Sequence, residues 1–201
     1  MKIFVGISGA SGTIYGGRLL RALEGLGHEV TTCFSDGAVQ VIRAEEGDDD
    51  VSPSRQEVIA RFAERYGLSH SLAQPAAPQE MGSEMASGSS LVEAAVVCPC
   101  SMSSLACIAS GVTRNLIHRV ADVMLKESRI LALVPRETPL SDIHLRNMLR
   151  VRRAGALLVP AMPAYYHHPE TIDDLADFVA GKVLDAIGVR HELYRRWQGE
   201  G

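Results

Sequence analysis

Three short segments hold most of the groups that could bind or react. Gly6-Ile7-Ser8-Gly9-Ala10-Ser11-Gly12 is a run of small residues whose backbone N–H groups can approach an anion closely. Cys98-Pro99-Cys100-Ser101-Met102-Ser103-Ser104 offers hydroxyls and, at a helix start, unpaired N–H groups. Pro163-Ala164-Tyr165-Tyr166-His167 adds aromatic rings with polar tips. Ser35, the pair Arg136-Glu137, and the cations Arg119 and Lys126 complete the set. This is the chemistry of a pocket for an anionic ligand. Each part also has a plainer reading. The glycine turn lacks the GxGxxG pattern, with Ser8 where the second glycine would stand, and serves equally as a tight turn with a capping serine. Ser101 can simply cap a helix. Any one of the cations can be a surface ion pair, and Tyr166 can be an interface or core tyrosine. Cys98 and Cys100 form a CxC pair without a matching partner cluster, and His167-His168 are adjacent, so neither makes a metal site.

The surrounding sequence reads as alternating strands and helices. Apolar runs at Lys2–Ile7, Glu29–Phe34, Leu91–Cys98, Ile130–Val134 and Ala156–Val159 read as strands. Helical periodicity follows the glycine turn (Arg18 to Leu23) and recurs over Arg55–Tyr66, Met102–Ser110, Val120–Lys126, Ser141–Arg152 and Thr171–Ile187. Glu45–Ser54, with Asp48, Asp49 and Asp50, reads as a solvated loop, and Pro75–Ser90 as a long one. The alternation implies an α/β fold: a three-layer, Rossmann-like or flavodoxin-like parallel sheet with helices on both faces. Residues 1–188 form one domain on this reading, and 189–201 a C-terminal tail. In such sheets ligands bind at the carboxyl ends of the strands. The glycine turn, Ser35, Ser101 to Ser104, Arg136-Glu137 and Tyr166 each follow a strand.

Composition bounds the rest. The 201 residues carry a net charge of -4 and no basic block, which argues against nucleic acid as the main partner. No apolar stretch reaches the length of a membrane span. The four cysteines form no CxxC pair and no secreted-type framework, which points to reduced thiols in the cytoplasm.

Several separated motifs then converge. Gly6 to Leu20 (GISGASGTIYGGRLL), Cys98 to Leu105 (CPCSMSSL), Asn115 to Glu127 (NLIHRVADVMLKE), Val134 to Leu140 (VPRETPL), His144 to Met148 (HLRNM) and Pro163 to Pro169 (PAYYHHP) resemble, in order, the UbiX-like flavin prenyltransferases. The similarity spans nearly the whole chain and is weakest from Glu46 to Gln79 and after Gly188. The resemblance implies a metal-independent transferase that joins the dimethylallyl group of dimethylallyl monophosphate to N5 and C6 of reduced FMN. It implies a homododecamer with FMN near subunit interfaces, whose prenylated FMN passes to a separate decarboxylase. By position, Gly9, Ala10, Ser11, Ser35, Ser101, Met102, Ser103, Ser104 and Arg136 correspond to FMN contacts. Lys126, Tyr166 and Lys182 correspond to holders of the prenyl phosphate. Ser11, Glu45, Arg119 and Glu137 fall near the reacting centre.

Two departures from the family pattern stand out. Lys182 occupies a position that is arginine in many members; it keeps the charge and loses the planar fork. Met81 to Ala86 holds no aromatic where some members carry a tryptophan, which shifts the electron-rich wall beside the allyl group onto Trp197 of the tail. Two other functions compete. An FMN-dependent cysteine decarboxylase shares the fold group, but CPCSMSSL and PAMPAYYHHP stand where its own motifs would be. A non-catalytic FMN carrier would hold flavin without turnover.

Overall fold

The computed structural model describes residues 1–47 and 53–196. Five parallel strands are β1 (Lys2–Ile7), β2 (Glu29–Phe34), β3 (Ala94–Cys100), β4 (Ile130–Pro135) and β5 (Leu157–Leu158), in the order β2-β1-β3-β4-β5. The α-helices among the described residues are α1 (Thr13–Gly25), α2 (Asp36–Glu46), α3 (Arg55–Tyr66), α4 (Met102–Ser110), α5 (Leu116–Lys126), α6 (Asp142–Arg153) and α7 (Ile172–Ala186). All seven residues of β3 are buried, because the central strand is covered on both faces.

Two apolar cores cover the sheet. On one face Leu19, Leu20 and Leu23 of α1, Ile42 of α2, Phe62 of α3 and Val183 of α7 pack against Ile3, Val5 and Ile7. On the other, Leu105 of α4, Leu116 and Val120 of α5 and Val151 of α6 pack against Phe4, Val97 and Leu133. The three-layer fold expected from the alternation is thus the one observed. Arg18 ties α1 to α7: its Nε donates to Asp177 Oδ1 at 2.6 Å, its Nη2 donates to the same carboxylate, and its Nη1 reaches Asp173 at 3.2 Å.

Element boundaries shift by a residue or two at several ends, β5 shortening to Leu157–Leu158, and three departures bear on the site. The central strand runs from Ala94 rather than Leu91 and extends past Pro99 to pair Cys100 with Pro135; Pro99 has no N–H to donate, and the register slips between Val97 and Cys100. Leu91 stays exposed. The segment read as beginning a loop at Glu45 still belongs to α2 at that residue, ending on Gly47 in a left-handed conformation; Asp48, Asp49 and Asp50 lie outside the described residues. Finally, α5 starts at Leu116 rather than Val120. Asn115 Oδ1 caps it by accepting from His118 N at 3.0 Å, and Leu116 and Ile117 are fully buried. Residues 75–90 form a loop broken by one 3-10 turn at Glu84–Ala86, with Ala86 seated on the second core.

Candidate functional site

Strand order reverses at β1: its crossover leads to β2 on one side, and β3 lies on the other. The crevice at such a point is where open α/β sheets take ligands. Ser8 stitches its two walls together. The residue is fully buried; its hydroxyl donates to Pro99 O at 3.0 Å and accepts from Ser101 N at 2.7 Å, while its own N–H donates to Pro99 O at 3.2 Å. The serine standing in place of a second glycine therefore fixes the glycine turn against the start of α4. Its sequence signal is the break in the GxGxxG pattern, but its partners lie 91 and 93 residues away.

Glu45 reaches the same turn from the last part of α2. Oε1 accepts from Ser11 Oγ at 2.8 Å and Gly12 N at 2.5 Å; Oε2 accepts from Thr13 N at 3.0 Å and Thr13 Oγ1 at 2.5 Å. Burial alone would push this carboxyl up, but the bonds from Thr13, Gly12 and Ser11 outweigh it and hold it below the usual carboxylate range. The amino terminus of α1 is thus satisfied by a protein carboxylate. Gly12 and Thr13 N–H are engaged by Glu45, so anion binding shifts to other groups of the turn and to its neighbours.

Arg136, leaving the end of β4, leans over the turn and donates Nε to Ser11 O at 2.9 Å, with its Nη groups directed at no partner among the described residues. Tyr15 lies across the same turn: a Cβ on Gly12 would stand 2.7 Å from its ring. Burial raises the Tyr15 hydroxyl above the usual range, the Cys98 thiol adds to the rise, and Arg136 pulls against it. Tyr15 is an aromatic site residue that the motif reading passed over.

On the other side of the turn, Ser35 caps α2. Its Oγ accepts from Ala38 N at 3.0 Å, and its N–H donates to Ile7 O at 2.9 Å. Gly9 and Gly37 meet backbone to backbone, where a Cβ on Gly9 would stand 3.0 Å from Gly37. Ser101 does cap α4: its Oγ accepts from Ser104 N at 3.2 Å and donates to Ser104 Oγ at 3.2 Å. Met102 and Ser104 are buried and Ser103 is exposed. Under these loops, burial pushes the Cys100 thiol up to about 12 and the Cys98 thiol higher still, so both are packing groups and poor ligands.

The structure therefore gathers Gly9, Ala10, Ser11, Ser35, Glu45, Ser101 to Ser104 and Arg136 at one end of the sheet. Glu137 follows on the exposed loop after β4, its Oε1 accepting from Thr138 N at 3.0 Å. Other expected residues lie elsewhere in the chain. Lys126 ends α5, which returns to the start of β4, so it stands at the amino end of the sheet, paired with Glu127 at 2.9 Å. Strands of six residues put it about 20 Å from the glycine turn. Arg119, on the same helix, donates Nε to Ala86 O at 3.2 Å and pairs with Asp122 at 3.0 Å, holding the long loop. Lys182 lies about 15 Å down α7 from its start. Tyr166 packs edge-on against Phe178 of α7, ring centres 5.9 Å apart. Within one chain Lys126 and Lys182 thus stand away from Arg136. Trp197 lies outside the described residues.

FMN fits what is present: helix starts at α2 and α4 beside the turn, a glycine contact without room for a side chain, clustered hydroxyls, and a guanidinium with its fork available.

Comparison with known proteins places this arrangement. Residues 1–184 match the family described as Flavoprotein. A flavin prenyltransferase UbiX of Methanothermobacter thermautotrophicus is 45% identical over 98% of this chain and 96% of its own length. The crystal structure of AnUbiX (PadA1) in complex with FMN and dimethylallyl pyrophosphate aligns with a TM-score of 0.85 and 39% identity, covering 100% of this chain and 98% of that one. A dodecameric FMN-dependent Ubix-like decarboxylase from Escherichia coli O157:H7 aligns with a TM-score of 0.82 and 41% identity, covering 99% and 100%.

Proposed function

Because this chain belongs to the UbiX-type flavin prenyltransferases, within the flavoproteins, we infer that it transfers a dimethylallyl group to reduced FMN, giving prenylated FMN. The observation that carries the reading is the stitched crevice: the glycine turn and the start of α4 are locked together by Ser8 and overlooked by Arg136. Bound reduced FMN supplies the nucleophilic N5 and C6 positions.

The remaining work belongs to side chains. Arg136 and the hydroxyls of Ser101 to Ser104 hold and orient the flavin, with Gly9, Ala10 and Ser35 shaping the wall. Glu45, kept ionised, holds the Ser11 hydroxyl, so the proton on Ser11 Oγ has a fixed direction. Glu137, on a solvent-facing loop, is placed to carry protons to and from the ligands. Lys126, Tyr166 and Lys182 take the prenyl phosphate, whose departure needs cations to neutralise its growing charge. Arg119 keeps the long loop in place beside Lys126.

The distance between Lys126 and the glycine turn is met by assembly. In a homo-oligomer, dodecameric as in the Ubix-like relative, one copy's cations reach a neighbour's flavin. The product then passes to a decarboxylase that uses prenylated FMN. The unpaired Cys33, Cys98, Cys100 and Cys107 suit a cytoplasmic setting.

The test is direct. The protein is mixed anaerobically with reduced FMN and dimethylallyl monophosphate, and the released flavin is weighed by mass spectrometry. A gain of one isoprene unit is expected. Stoichiometric flavin of unchanged mass would make the protein a carrier.

A further inference from the structure

Asp185, in the last turn of α7, gathers groups from the C-terminal segment around one carboxylate. Its Oδ1 accepts from Arg196 Nη2 at 2.6 Å, and its Oδ2 accepts from Tyr194 Oη at 2.7 Å and from Arg196 Nη1 at 3.2 Å. His191 Nε2 lies 3.2 Å from Oδ1. His191 Nδ1 accepts from Leu193 N at 3.2 Å, which turns the other ring nitrogen toward Asp185. Lys182 Nζ stands 3.9 Å from Oδ2.

Helix stability does not account for this acid. A negative charge in the last turn opposes the helix dipole, and the last turn of α7 carries no basic residue to offset it. Nor does the sheet need it: the partners found all come from residues 182–196, and α7 is tied to α1 separately, through Arg18 and Asp177.

The segment lies tightly on the helix. A Cβ on Gly181 would stand 2.5 Å from Tyr194 Cε1 and 2.6 Å from His191 Cε1, so both rings sit on bare backbone between Phe178 and Asp185. From there contacts run toward the site. The Tyr194 ring lies 4.9 Å from Phe178. Phe178 in turn meets Tyr166 edge-on at 5.9 Å and stacks on His167 at 5.1 Å. Phe178, Lys182 and Asp185 also line one groove of about 510 Å³ with Pro160 and Met162.

We infer that Asp185 is a positioning residue: by pinning Tyr194 and Arg196 onto α7 it fixes Tyr166 and Lys182 in the geometry that receives the prenyl phosphate. The inference rests on the roles proposed above for those two residues. Tyr166 is held from behind, through Phe178 and Tyr194. Lys182 is held by a carboxylate too distant to neutralise it in a close pair and near enough to orient its ammonium. Burial would raise the Asp185 carboxyl, but Arg196 and Tyr194 hold it down at about 2, so the anchor is charged wherever the enzyme works.

Asp185→Asn keeps the shape and removes the charge. In the intact protein with FMN bound, the KM for dimethylallyl monophosphate should rise about tenfold, with a smaller change in kcat and unchanged flavin stoichiometry. Asp185→Glu should recover much of the loss, which a purely structural role would not require. Arg196→Ala, which removes a largely exposed partner, should raise KM in the same direction. It decides the matter with Tyr194→Phe if Asp185→Asn fails to fold or to retain FMN. Native transfer by the parent protein together with an unchanged KM in these variants overturns the inference and leaves the proposed function standing. A lowered KM in Asp185→Asn overturns it as well, since the carboxylate would then only weaken Lys182. A parent protein that transfers no prenyl group overturns both.

Discussion

Ser8→Ala tests whether the crevice is held open by one hydroxyl. The substitution removes a single oxygen from a fully buried position, so it creates little cavity. Pro99 O keeps the bond from Ser8 N at 3.2 Å, which limits the loss on that side. Ser101 N–H has its 2.7 Å acceptor taken away, beside the turn that begins α4. Orphaning one such group costs about 1–3 kcal/mol. For a chain of this length each kcal/mol moves the midpoint by about 2–4 °C, so a fall of about 4–8 °C is expected from the middle of that range. Flavin affinity should fall further than stability alone requires, because the displaced turn carries Ser101 and Ser104. Thermal melts followed by flavin and by circular dichroism, alongside an FMN titration, measure both. Ser103→Ala, at an exposed position, is the control for the melts alone and should stay within about 0.5 kcal/mol of the parent in stability. A Ser8→Ala protein melting within about 1 °C of its parent, with native flavin affinity, would refute the stitching argument.

Glu45→Gln should cost about 1 kcal/mol at neutral pH, a figure kept small because the residue is only partly buried. Its folded pKa is depressed, so the contribution is full above the unfolded value and disappears as pH falls through the folded one; urea melts of parent and variant should converge as pH falls below the usual carboxylate range. Gly9→Ala pushes a methyl against Gly37 and should weaken FMN binding about tenfold with little change in melting temperature, as read by flavin titration. Lys126→Ala should raise KM for dimethylallyl monophosphate and leave flavin retention intact. Mixed oligomers of Lys126→Ala and Ser11→Trp should regain activity that neither variant has alone, and absence of that rescue would place both residues in one protomer's site.

The fold was legible because its signals are local. Apolar runs such as Lys2–Ile7 and Glu29–Phe34 coincide with β1 and β2, and glycine at 47, 67 and 111 ends helices as its backbone freedom predicts. The helix start at Asn115 was harder to read, because Arg119 interrupts the apolar pattern on a side chain that in fact reaches Ala86. The site was legible as strand-end motifs and illegible as contacts. Nothing near Glu45 in sequence says that it caps a helix 33 residues earlier, and nothing near Gly37 says that another backbone needs its missing side chain. Lys126 stands apart from Arg136 within one chain for a directional reason: a helix that returns to the next strand delivers its last turn to the amino end of the sheet.

The buried thiols beneath the crevice have a consequence for a catalyst of this kind. An activated allyl group alkylates sulfur readily when the sulfur is a thiolate. Cys98 and Cys100 end the strand that leads into the crevice, yet both are fully enclosed and held in the protonated form far above neutral pH. An enzyme that handles such a reagent is thereby spared two of its own nucleophiles: sulfur lies within the wall but is not offered as a thiolate.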